Sequence, residues 1–115
     1  VREEAMQYFK SLRVNGGSWY DETCVWRLGV HMPAIDGLKG EPCGPGYHLA
    51  KSVEAAVGYS KFPLALYEAE PCGDLLGEDA TKARYTSAKI TREIDKPSWV
   101  IEAENFITSI AKVKF

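Results

Sequence analysis

Two histidines and three cysteines come first, because imidazole and thiolate bind metals and carry nucleophilic chemistry. Cys24, His31, Cys43, His48 and Cys72 are spread along the chain. A structural zinc site calls for closely paired ligands. No Cys-x-x-Cys and no close His pair occurs, so no metal is expected. Cys43 and His48 lie near each other, and an imidazole there could take the thiol proton. Such a hydrolase would need Cys43 to be alkylated fast near neutral pH. The run Gly44-Pro45-Gly46 lacks the Lys-Ser/Thr of a P-loop and the third glycine of a dinucleotide fingerprint. It reads as a tight turn entering a strand. Paired carboxylates do acid–base work when their surroundings push their pKa values apart. Glu68 with Glu70, and Glu102 with Glu104, are the candidate pairs, and a solvated face is the simpler and favoured account of them. Trp19, Tyr20, Trp26 and Trp99 are a large apolar payload for 115 residues. They read mostly as core, with an exposed member able to anchor a partner or a second copy.

The elements that must position these groups follow from periodicity. Residues 2–13 predict a helix: Ala5, Met6, Phe9 and Leu12 recur at helical spacing, with Glu3 and Glu4 first and Lys10 and Arg13 last, as the helix dipole favours. Asn15, Gly16 and Gly17 stop it. Aromatic and β-branched residues over 19–30 predict a strand or short hairpin. Residues 31–45 form a long loop punctuated by Pro33, Gly37, Gly40, Pro42 and Gly44. A short strand is expected at 47–50, followed by a helix capped by Ser52 and running to Tyr59. Residues 64–70 alternate as a strand, which Pro71, Cys72 and Gly73 end. Residues 83–94 read as a further strand, and 98–112 as a second long helix with an apolar stripe.

Composition sets the class. Hydrophobic residues at 45% and charged residues at 26% match globular proteins and argue against disorder. No apolar run approaches the length of a membrane span, so no membrane association is expected. A net charge of −2, from 14 basic and 16 acidic side chains without a basic block, argues against nucleic acid as a partner. An odd cysteine count with no signal peptide points to a reducing, cytoplasmic compartment. The chain starts at Val1 rather than Met, so the numbered start need not be the translated one.

The segment Gly46-Tyr47-His48-Leu49-Ala50-Lys51-Ser52, continued to Tyr59, is similar to the central motif of ADP-ribosyltransferases of the diphtheria-toxin and poly-ADP-ribose polymerase kind. There a Gly-x-Tyr-x-Ala strand leads into a helix carrying a second Tyr, and the two tyrosines sandwich the nicotinamide of NAD. Tyr59 takes the second place here, and His48 stands where the first Tyr would be. The resemblance implies NAD as cofactor, His48 and Tyr59 flanking nicotinamide, and His31, in Gly29-Val30-His31, touching the ribose. The late catalytic Glu of that family has no clear counterpart; Glu102 and Glu104 are the candidates. The chain also resembles a small family of bacterial and phage domains to which no activity is assigned. The matching pieces are Cys43 to His48, Tyr67 to Glu70, and Ser87-Ala88-Lys89-Ile90-Thr91-Arg92-Glu93-Ile94. From first to last they span 43–94, about half of the chain, against about an eighth for the transferase motif.

The expected architecture is a single α+β domain over 1–115. It has a small antiparallel or mixed sheet with an N-terminal helix, a short central helix and a C-terminal helix packed on it. A strand–helix–strand unit over 46–70 lies at its middle. With no complete catalytic set, the leading expectation is a non-enzymatic binding or accessory module of the kind phage and mobile elements encode. Its partner is a protein or a small molecule, and a homo-oligomer is left open. The alternative is an ADP-ribosyltransferase-like enzyme or a degenerate NAD-binding relative. His31, His48 and Tyr59 are the expected ligand-binding residues.

Overall fold

A computed structural model describes residues 7–19, 23–35, 39–40 and 45–111. Tyr20, Cys43 and most of the first half of the expected N-terminal helix lie outside the described residues. In chain order the elements are β1 (Tyr8–Leu12), β2 (Tyr47–Ala50), α1 (Val53–Gly58), β3 (Ala65–Pro71), β4 (Leu75–Glu78), β5 (Lys82–Tyr85), β6 (Ala88–Glu93) and α2 (Ser98–Ala111). The strands form one sheet in the order β4-β5-β2-β1-β3-β6, antiparallel at every ladder. β2 and β3 both oppose β1, so they run parallel to each other and α1 carries the chain between them. This is the strand–helix–strand unit expected over 46–70. Ser52 caps α1 by accepting a 3.1 Å bond from the Ala55 N–H.

The expected arrangement of three helices on a small sheet is overturned. The described residues form a six-stranded antiparallel sheet with one short helix packed on it. Residues 8–12, expected to end the N-terminal helix, are β1, an interior strand of the sheet. The helical spacing of Phe9 and Leu12 was misleading because β1 is covered on both faces. Tyr8 and Leu12 pack into one core, while Ser11 is buried on the other side with its hydroxyl donating to Ala56 O at 2.7 Å. A strand buried twice loses its period of two.

The C-terminal helix forms but is not packed along the sheet. Val100 is buried, whereas Trp99, Ile101, Phe106, Ile107 and Ile110 are exposed. Its attachment is a polar clamp: Glu104 accepts from the Leu64 N–H at 3.0 Å and from Lys96 Nζ at 2.7 Å, and Lys96 Nζ also donates to Leu64 O. The expected strand over 83–94 is divided into β5 and β6, which lie on opposite sides of the sheet. β4, short and carrying Gly77, has no counterpart among the expected elements.

The sheet cannot be flat. β5 and β6 are separated by four strand steps, about 19 Å in a flat sheet. Only Thr86 and Ser87 join them, a reach of about 11 Å at most. The sheet therefore curls into two halves, β4-β5-β2 and β1-β3-β6. The hydroxyls of Tyr8 and Tyr85, from opposite halves, meet at 2.7 Å inside the curl. The hinge between the halves is narrow. β1 pairs with β3 along its whole length but with β2 through a single register pair, Phe9 opposite Ala50. No further register pair joins these two strands.

The first core lies inside the curl and is closed by Trp26 and Met32. These belong to the segment expected to be a strand or hairpin over 19–30 and a loop from 31. Among the described residues there, an isolated bridge forms, Gly17 opposite Val25. The segment is held by backbone bonds instead: Trp26 N to Gly16 O, Ser18 N to Cys24 O, Met32 N to Ala88 O and Ile35 N to Thr86 O. Gly16 has φ +89°, and a Cβ there would stand 2.8 Å from Trp26 O, so only glycine lets the segment fold back this closely. The second core joins Ala50 and Leu66 to Ala56 and Val57 of α1, with Leu64 and Val100.

Candidate ligand-binding cleft

Where β1 and β2 part, a cleft of about 740 Å³ opens. Its walls come from both strands, from α1 and from the covering segment: Lys10, Trp19, Cys24, Trp26, Tyr47, His48 and Tyr59 line it, with Lys82 at its side. A largely apolar concavity with a few converging polar groups is the usual form of a small-molecule site.

Each wall residue is positioned by a traceable contact. Tyr47 and His48 stand on β2, which Gly46 introduces at φ +132°. A Cβ on Gly46 would lie 3.1 Å from both Tyr85 O and Leu76 Cδ1, so the entry to β2 requires glycine. The Tyr47 hydroxyl donates to Pro33 O at 2.6 Å, and its ring meets Trp26 edge-on at 5.4 Å. The Trp26 indole N–H donates to Ser18 Oγ at 3.0 Å. Tyr59 closes the C-terminal end of α1. Its hydroxyl bonds Thr81 Oγ1 at 2.7 Å, and the Lys82 ammonium sits 5.2 Å from its ring centre. Trp19 is stacked by the Arg13 guanidinium at 5.1 Å, and its buried indole N–H has no hydrogen-bond partner among the described residues.

Lys10 is the unusual member. Its ammonium reaches across the opening to donate to His48 O at 2.7 Å and lies 5.1 Å from the centre of the Trp26 ring. No carboxylate pairs with it among the described residues. Burial among apolar groups lowers its pKa to about 8, with a smaller opposing effect from Cys24. Burial, and then Cys24, push the Tyr47 phenol upward.

His48 and Tyr59, taken from the sequence as ligand-binding residues, line this one cleft. His31 is exposed on the covering segment and is not among the lining residues. Glu102 and Glu104 stand on α2 and do not line the cleft either; Glu104 is engaged by Leu64 and Lys96. Glu68 accepts from Arg92 at 2.7 and 3.2 Å and from Gln7 at 2.7 Å, and Glu70 faces Lys89 at 3.7 Å, so this pair serves the β3–β6 edge. Among the described residues no three of His, Cys, Asp and Glu come together as metal ligands. Cys24 and Cys72 are free thiols.

Sequence reasoning missed Lys10, which it assigned to the last turn of a helix. The available signal was a lone cation inside the aromatic–apolar run Tyr8-Phe9-Lys10-Ser11-Leu12. Of the aromatics expected to be mostly core, Trp26 is core and cleft wall at once. No helix among the described residues is long and apolar enough to cross a membrane. No family model, no curated protein and no solved structure matches the chain.

Proposed function

We propose that this domain is a small binding module that takes a planar, anionic small molecule in the cleft between β1 and β2. The observation that carries the reading is convergence: the rings of Trp19, Trp26, Tyr47 and Tyr59 meet the ammonium groups of Lys10 and Lys82 around one opening in the sheet. Aromatic walls offer stacking surface, and the ammonium groups of Lys10 and Lys82 favour an anion, with the Asp79 carboxylate near Lys82 but outside the cleft lining. The free thiols of Cys24 and Cys72 fit a reducing, cytoplasmic setting. The sequence resemblance to bacterial and phage domains supports an accessory role of the kind mobile elements encode. A protein partner or a second copy of the chain is the competing occupant class. It would use the exposed apolar residues of α2 rather than the cleft.

One observation favours NAD as the specific ligand: His48 and Tyr59, the two positions matched to the nicotinamide sandwich, line the same cleft. The transferase chemistry itself has less support, because neither Glu102 nor Glu104 lines that cleft and His31 is outside it. A degenerate NAD-binding relative fits better than an active enzyme.

An NAD titration followed by tryptophan fluorescence and ligand-observed NMR tests both readings, since Trp19 and Trp26 report on the cleft directly. Saturable binding weakened by both His48→Ala and Tyr59→Ala is expected under the NAD reading. If millimolar NAD leaves the spectra unchanged but aromatic carboxylates bind, the cleft reading stands without NAD. If neither class binds, the cleft reading is wrong.

A further inference from the structure

Lys10 combines three properties that seldom meet. Its amine stands at the wall of a cleft, it has no carboxylate partner among the described residues, and an indole ring lies beside it at 5.1 Å. A lysine placed only to bridge two separating strands would satisfy His48 O without facing a ligand-sized space. Desolvated lysines are instead activated as amine nucleophiles toward carbonyl carbon.

We infer that Lys10 binds the carbonyl group of an anionic aromatic aldehyde as a reversible imine. This rests on the cleft reading above and goes beyond it by naming the bond that forms. The neutral amine can keep one N–H on His48 O while its lone pair turns into the cleft. That lone pair attacks the carbonyl carbon, the C=O π electrons move to oxygen, and a proton passes from nitrogen to oxygen to give a carbinolamine. Nitrogen then expels the hydroxyl, which leaves as water with the second amine proton. Amine and aldehyde thus become imine and water, with no oxidant or reductant. The ring of the aldehyde would lie against Trp26, and its anionic group would face Lys82, the other cation lining the cleft.

Selectivity at neutral pH follows from the surroundings. With a pKa of about 8, about one Lys10 in eleven is neutral at pH 7, against about one in three thousand for an ordinary lysine. Cys24, Tyr47 and His48 are the other titratable groups facing the amine, with Tyr59 and Lys82 further along the cleft. None of them is a carboxylate; Cys24 favours the ammonium, but by less than burial opposes it.

The test uses the full chain at pH 7 with 4-carboxybenzaldehyde and sodium cyanoborohydride, whose hydride reduces the imine to a stable secondary amine. Peptide mass spectrometry then locates the adduct, the mass of the aldehyde less one oxygen. Labelling of Lys10 at least about tenfold faster than any other lysine is expected, given its larger neutral fraction. The label should be suppressed by excess 4-(hydroxymethyl)benzoate, which has the same charge and a similar shape but no aldehyde. Lys10→Arg keeps the charge and a donor for His48 O, and Lys10→Met keeps the stem; both should lose the fast label while remaining folded by circular dichroism. Labels spread over surface lysines at similar rates, unchanged in Lys10→Arg, would overturn the inference. If 4-(hydroxymethyl)benzoate binds and Lys10 stays unlabelled, the inference fails and the cleft reading survives. If the benzoate does not bind and Lys10 is unlabelled, both fail.

Discussion

Replacing Lys10 by Met should change how stability depends on pH, and the direction can be worked out. The Lys10 pKa falls from 10.5 to about 8 on folding because its ammonium leaves water for an apolar wall. Below pH 8 both folded and unfolded chains carry the proton, so the full desolvation cost is present. Between pH 8 and 10.5 the unfolded chain binds more protons than the folded one, and stability rises with pH. Above 10.5 both are neutral and the cost is gone. From pH 7 to pH 10 the fully desolvated limit is a gain of about 2.5 kcal/mol for the wild type relative to Lys10→Met. Lys10 retains partial solvent contact through the cleft, which reduces the expected gain to about 1–2 kcal/mol. A charge on Cys24 opposes the shift, so the comparison is best repeated in a Cys24→Ser background. Urea unfolding of both proteins at several pH values is the assay. The hydrogen bond to His48 O is lost in Lys10→Met at every pH and offsets the curves without changing their relative slope. Parallel curves from pH 7 to pH 10 would show that the ammonium is not desolvated, and the account of the cleft's electrostatics would be refuted.

Glu104→Ala removes the acceptor for both the Leu64 N–H and Lys96. A loss of about 1–3 kcal/mol in urea unfolding is expected, because charge-assisted bonds to a mostly buried carboxylate are broken. Faster amide exchange along α2 should accompany it, since this clamp and Val100 attach the helix. Gly46→Ala places a Cβ at φ +132° against Tyr85 O and should cost about 1–3 kcal/mol in thermal unfolding. It should also weaken ligand binding, because Gly46 aims β2 into the cleft.

Much of the middle of the chain was legible in its residues. The strand at Tyr47–Ala50, the Ser52 cap, the helix ending at Tyr59 and the strand beginning near Ala65 are specified locally by alternation, by a capping hydroxyl and by turn residues. The existence of α2 was legible for the same reason, from its apolar spacing. What that spacing could not say is whether anything covers the stripe; only the fold leaves Phe106 and Ile110 exposed. β1 was beyond local reading, because a strand covered on both faces shows neither helical nor alternating order. β4 was too short, and the break at Thr86-Ser87 depends on where the two flanking strands find partners. The same division holds for the site. His48 and Tyr59 are named by a motif within one strand–helix unit, so sequence could propose them. Lys10 enters the cleft from a distant segment, through the parting of β1 from β2. Spacing along the chain carries no information about where two neighbouring strands of a sheet lose their pairing. The sequence by itself therefore determined the local strand–helix–strand frame and its aromatic supply, whereas the cleft and the pKa of its lysine were decided by tertiary packing, because desolvation depends on which groups surround an amine in space.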